Sequence, residues 1–134
     1  MIDFNKFTQQ AQSAIMASQE IMSRYQNNQL TPEHLLLAII EDEKGLARKI
    51  FLKLEADISV IKEQAENAVA KKPKVMYSID PNQLFISIDF KKLVDNAQEE
   101  ANRLKDSYIS IEHLLLAMAS ERNQDAGRME PRQD

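Results

Sequence analysis

Apolar residues recur at helical spacing along most of the chain, and polar breaks divide them into six segments. Phe7, Ala11, Ala14, Ile15, Ala17, Ser18, Ile21 and Met22 predict a first helix from Thr8 to about Tyr25, capped by Thr8 or by Asn5. Asn27-Asn28-Gln29 breaks the pattern. Thr31 then suits an N-cap and Pro32 the first helical position, where its missing N–H costs nothing. The second helix carries Leu35, Leu36, Ala38, Ile39 and Ile40 and fades at Glu41-Asp42-Glu43. A third is expected from about Gly45 to Leu54, with Leu46, Ile50 and Leu54 on one face. Asp57 can cap a fourth, Ile58 to about Lys71, with Ile58, Ile61, Ala65, Ala68 and Val69 inward. Lys71-Lys72-Pro73-Lys74 ends it, because proline cannot continue a helix. Asp89 or Ser87 caps a fifth, which runs to about Lys105 with Phe90, Leu93, Val94, Ala97, Ala101 and Leu104 inward. Ser110 caps a sixth, Ile111 to about Ser120.

Between the fourth and fifth helices, residues 75 to 86 follow no period and form the expected linker, yet Val75, Met76, Tyr77, Ile79, Leu84 and Phe85 are apolar. Two readings fit. These side chains lie on the neighbouring helices, or they form an exposed patch or short strand that a peptide could meet.

The stretch Leu30-Thr31-Pro32-Glu33-His34-Leu35-Leu36-Leu37-Ala38 returns as Ile109-Ser110-Ile111-Glu112-His113-Leu114-Leu115-Leu116-Ala117, an offset of 79 residues from His34 to His113. At the same offset Ala14 pairs with Leu93, Ser18 with Ala97, Met22 with Ala101, and Ala47, Lys49 and Ile50 with Ala126, Arg128 and Met129. Such a repeat predicts an all-α fold of two pseudo-symmetric helical units packed together. The second unit looks truncated, since nothing after Met129 matches Ile58 to Lys71. The expected organisation is one domain over 1–134: repeat 1 about 5–71, linker about 72–86, repeat 2 about 87–129.

Composition narrows the function classes. The 134 residues include no cysteine, which removes disulfide and thiol chemistry and fits a reducing compartment. The net charge of −4, with cations mixed among the acids, argues against nucleic acid as a partner. No apolar run nears the ~20 residues of a membrane span, and the N-terminus lacks a signal pattern, so a soluble cytoplasmic protein with no membrane partner is expected. Two glycines, Gly45 and Gly127, are too few for a phosphate-cradling loop or a dinucleotide fingerprint. No cofactor is expected in this domain.

Within the repeated motif, Glu33 and Glu112 occupy first helical turns, where the helix dipole stabilises a carboxylate by roughly 0.3–1 kcal/mol. They also make two symmetric sites for a cationic group, unequal because Asp106 stands near Glu112 where the repeat mate is Asn27. His34 and His113 are expected to pack or hydrogen-bond under the helix starts; a zinc site would want a third ligand close by. No Ser, His and acid cluster at local spacing is evident, so no catalysis is expected. The two triple-leucine runs are core, with the third leucine of each turned outward.

The Phe7-Thr8-x-x-Ala11-Gln12 start, the doubled [LI]-[TS]-x-E-H-L-L-L-A motif and the intervening Lys72-Pro73-Lys74-Val75 resemble the Clp N-terminal (double Clp repeat) domain. Coverage runs from about Asn5 to Ala119 and weakly to Met129. Phe4-Asn5-Lys6-Phe7-Thr8 and Lys-Pro-Lys-Val are most similar to the ClpB disaggregase branch. The resemblance implies two four-helix repeats that engage unfolded or aggregated polypeptide, or adaptor proteins. The domain would be a monomer ahead of a homo-hexameric motor that uses ATP and Mg. It also implies roles in substrate handling for Thr8, Asp106 and Glu112, and an apolar groove at Val94. By resemblance to the ClpC and ClpA branches, Glu33 and Glu112 would instead hold phosphoarginine or serve adaptor binding. Ile88 departs from the proline that relatives carry before the fifth helix.

Overall fold

In a computed structural model, residues 2–76 and 84–120 are described. A 3-10 turn, Phe4–Lys6, precedes α1 (Gln9–Arg24), α2 (Pro32–Glu41), α3 (Leu46–Lys53), α4 (Ile58–Ala70) and α5 (Ile88–Arg103). Residues 111–120 form α6. Tyr77 and Ile79 of the linker, and the repeat pairings at Ala126, Arg128 and Met129, lie outside the described residues.

The helix starts follow the caps written in the sequence. Thr8 Oγ1 accepts from the Ala11 N–H at 3.2 Å, and its repeat mate Ser87 accepts from the Phe90 N–H at 3.0 Å. Each satisfies one donor that the first turn leaves without a partner. Asp57 does the same for the Ser59 and Val60 N–H groups. Gly45 is the N-cap of α3; a Cβ there would come within 2.9 Å of Asp42 Oδ2, the end of an exposed side chain that can swing aside.

Helix ends were less legible. Gln26, Glu55 and Lys105 each follow a helix C-cap with φ of 57°, 56° and 60°. Gln26 N–H reaches Ser23 O and Asn27 N–H reaches Met22 O, both at 3.0 Å. Lys105 N–H reaches Asn102 O at 3.1 Å and Asp106 N–H reaches Ala101 O at 2.8 Å. This is the Schellman pairing, in left-handed backbone that favours glycine. It sets Asn27 and Asp106, repeat mates, at the same place just past α1 and α5.

The hub is α2, which packs on α1, α3, α4 and α5. The larger core cluster joins both repeats: Ala11, Ile15 and Met22 of α1, Leu35 and Ile39 of α2, Phe90, Leu93 and Ala97 of α5, and Leu114 and Ala117 of α6. A smaller cluster, Ile21, Leu37, Ala38, Ala65 and Val69, lies where α4 covers α2. Two isolated parallel bridges cross between the repeats, Phe7 with Ile109 and Leu30 with Ile86. These are the same pair of positions 79 residues apart, exchanged. The chain entering α1 therefore lies beside the second motif, and the chain entering α5 beside the first. The fold is all-α and pseudo-symmetric, as the repeat predicted.

Several sequence expectations change. Leu37, the third leucine of the first run, is fully buried, whereas its mate Leu116 is 44% exposed. The reason is α4, which closes over Leu37; among the described residues nothing equivalent covers Leu116. Leu104, expected inward, and Leu54, expected on one face with Leu46 and Ile50, are 47% and 71% exposed, because each is a C-cap where the helix has ended and the chain turns away. In the linker both readings hold in part. Leu84 and Ile86 pack on the core, while Met76 and Phe85 stand in solvent.

Candidate functional site

Each motif histidine is held at both ring nitrogens. His34 Nδ1 accepts from the Thr31 N–H at 3.0 Å, and Nε2 lies 2.8 Å from Asn27 Oδ1. A backbone N–H can only donate, so Nδ1 is unprotonated and Nε2–H donates to Asn27. His113 repeats the arrangement: Nδ1 accepts from the Ser110 N–H at 2.8 Å, and Nε2 lies 2.8 Å from Asp106 Oδ2. His34 thus occupies the place of the Glu or Gln in a capping box. Burial holds His34 well below the ordinary histidine range, at about 4, with Lys72 adding to the depression and Glu33 opposing it.

A Ser–His–acid line therefore does exist, contrary to the sequence expectation, because Asp106 and His113 are seven positions apart but meet through the helix turn. Ser110 Oγ lies 3.0 Å from His113 Nδ1. The line caps a helix. Nδ1 is already taken by the Ser110 N–H, and Ser110 Oγ accepts from the His113 N–H at 3.4 Å. The first motif builds the same lock from Thr31, His34 and Asn27, with an amide in place of the acid.

Three of the five candidate residues, Thr8, Asp106 and Glu112, flank one backbone pairing. The Thr8 N–H donates to Ile109 O at 3.0 Å and the Ile109 N–H to Lys6 O at 2.8 Å, which draws Thr8 to the segment between Asp106 and Glu112. The Asp106 side chain is 53% exposed although one oxygen is engaged by His113. Glu112 is exposed, in the first turn of α6. Val94 is half-buried on α5, against the cluster that contains Ile109, Ile111 and Leu114.

Glu33 belongs elsewhere. Its Oε1 lies 2.9 Å from Lys72 Nζ. The stretch from Lys72 to Val75 straps the first motif down: Pro73 O accepts from Asn27 Nδ2 at 3.1 Å, Lys74 Nζ donates to Tyr25 O at 3.3 Å, and the Val75 N–H donates to Gln26 O at 2.8 Å. No counterpart of this strap lies over Asp106 and Glu112 among the described residues. Lys72 is the partner that sequence reasoning missed; its sole signal was the cationic run that ends α4. A separate groove of about 500 Å³ opens between α1 and the α2–α3 corner, lined by Gln9, Ser13, Ile39, Asp42 and Lys44 among others, and none of the five candidates lines it. Among the described residues no cluster of metal-ligating side chains occurs, and no helix is long and apolar enough to cross a membrane.

Two helical repeats that exchange their lead-in segments, each sealed by a histidine-locked helix start, define the double-repeat class. The chain belongs to the Clp repeat (R) N-terminal domain family, whose model matches residues 6–130. It is 38% identical over 122 residues to the chaperone protein ClpB of Bacillus cereus, covering 90% of this chain and 14% of that protein. It is 40% identical over 119 residues to chaperone protein ClpB 1 of a Nostoc species, covering 89% and 13%. The chain thus spans about one seventh of the length of these relatives. The fold matches the Hsp104 N-terminal domain from Candida albicans with TM-score 0.75 at 22% identity, covering 88% of this chain and 76% of that one. It matches the N-terminal domain of the ClpV1 ATPase from E. coli with TM-score 0.78 at 18% identity, covering 90% and 71%. This is the N-terminal domain type of an AAA+ chaperone of the ClpB kind, and no ATPase domain lies within the chain.

Proposed function

We propose that this domain captures exposed segments of unfolded or aggregated polypeptide for a ClpB-like hexameric motor that uses ATP and Mg in modules not in this chain. One observation carries the proposal. The Phe7–Ile109 bridge brings the backbone of Thr8 to the segment between Asp106 and the exposed Glu112, which supports a shared surface for these carboxylates, and half-buried Val94 on α5 is the apolar element assigned to it in this reading. Such a surface takes an apolar side chain flanked by Lys or Arg. Capture by one domain is weak, in keeping with a load that has to be released to a pore, and several copies per hexamer supply avidity. Domain limits of about 5–71 and 87–129 for the two repeats, with adaptor proteins as further partners and a cytoplasmic setting, belong to the same reading. The twin-site phosphoarginine reading is the less favoured, since Lys72 already engages Glu33 at 2.9 Å.

Titration of the chain with a permanently unfolded, fluorescently labelled polypeptide tests the proposal. Binding in the high-micromolar range is expected, with a loss of about tenfold or more on Val94→Asp and on Asp106→Asn/Glu112→Gln together. Equal binding by both variants and the parent chain overturns it.

A further inference from the structure

A second surface, on the first repeat, carries the opposite charge. Alone among the α-helices of the described residues, α3 has no acid; its sequence is Leu-Ala-Arg-Lys-Ile-Phe-Leu-Lys. Residues 48, 49, 52 and 53 share one face by their three- and four-residue spacing. That face is turned away from Ala47, which is 1% exposed. Leu52, 68% exposed, sits between Arg48, Lys49 and Lys53, and Leu54 at the helix end is 71% exposed. Lys44, just ahead of α3, adds a fourth cation.

Among the described residues these cations make no ion pair. Asp42, Glu43, Glu55 and Asp57 flank the helix, yet among the described residues no carboxylate lies within 4.0 Å of Lys44, Arg48, Lys49 or Lys53. Asp42 and Asp57 instead accept from backbone N–H groups. Arg48 Nε is shielded from water and has no hydrogen-bond partner among the described residues. The four flanking acids balance the four cations in number, so what sets this face apart is placement: Arg48, Lys49 and Lys53 surround the exposed Leu52 on a helix that carries no acid of its own.

We propose that the outer face of α3 docks an acidic segment of a partner protein, with Asp or Glu side chains flanking one bulky apolar residue. The apolar residue covers Leu52 and the carboxylates meet Arg48, Lys49 and Lys53. Charge complementarity then sets encounter rate and orientation, and the leucine contact sets residence time. The surface is distinct from the one at Asp106 and Glu112, which takes cations, so the two can fail separately.

The test is fluorescence anisotropy of a short labelled peptide rich in Asp and Glu with Leu at helical spacing. It is run beside a peptide with Lys in place of every acid, and beside phosphatidylglycerol vesicles. The acidic peptide should bind and weaken as salt rises. Lys49→Glu with Lys53→Glu, and separately Leu52→Ser, should each weaken it about tenfold or more, while capture of unfolded polypeptide stays unchanged. All three positions are exposed, so circular dichroism should show the parent fold. Equal peptide binding by these variants overturns the proposal. So does uptake by the vesicles alone, or self-association through this face in sedimentation without peptide binding.

Discussion

Acid should destabilise the first repeat through His34. The ring is fully buried, its Nδ1 accepts the Thr31 N–H at 3.0 Å and its Nε2–H is spent on Asn27. Adding a proton at Nδ1 would set it against the Thr31 N–H in a site shut off from solvent. Burial first, and then the Lys72 ammonium, hold its folded pKa at about 4, against an ordinary value of 6.5. The unfolded chain therefore binds more protons between those values. Stability is fully present above pH 6.5 and is lost as pH falls, with the loss complete near pH 4. At about 1.4 kcal/mol per pH unit the whole interval is worth about 3 kcal/mol, of which about 2 kcal/mol is gone by pH 5. Urea unfolding followed by circular dichroism at pH 7 and pH 5 measures it. The midpoint should drop by roughly 1 M between them, given a slope of ~1–3 kcal/mol/M. His34→Gln removes the titrating group and should flatten this dependence, whatever it costs at pH 7. Lys72→Met removes a depressing charge and should shrink it in part. Parallel pH dependences for the parent chain and His34→Gln would refute the reasoning.

The remaining predictions use the repeat as its own control. Leu37→Ala should cost about 3 kcal/mol in urea unfolding and Leu116→Ala under about 1 kcal/mol, because α4 covers the first alone. Asp106→Asn keeps the acceptor for His113 Nε2, as Asn27 does in the first repeat, and should shift unfolding by under about 0.5 kcal/mol; Asp106→Ala leaves that donor unpaired and should cost about 1–2 kcal/mol. Lys105→Gly relieves a left-handed backbone at φ 60° and should stabilise by about 0.5–1 kcal/mol, while the same change at exposed Lys92, mid-helix in α5, should destabilise by about as much.

How much of the site was legible depended on how far apart its parts lie along the chain. The Thr8 cap and the two locked histidines were legible because a cap and its helix are neighbours in sequence, and the repeat doubled each signal. Asp106 was chosen for its nearness to Glu112, but its bond to His113 depends on the left-handed turn at Lys105, which no glycine announces. Lys72 was read as a helix stop, since contact with Glu33 requires α4 to fold back along α2.

The sequence alone determined the six helices, their caps, the two-fold repeat and the all-α class, because periodicity and capping are contacts within a turn or two of the chain. Tertiary structure decided what covers the first motif. Among the described residues, Leu37 became core while Leu116 stayed partly exposed, and of the two identical glutamates Glu33 acquired an ion-pair partner. Burial and ion pairing depend on which distant element arrives, and α4 with the Lys72 strap arrives at the first motif alone among the described residues.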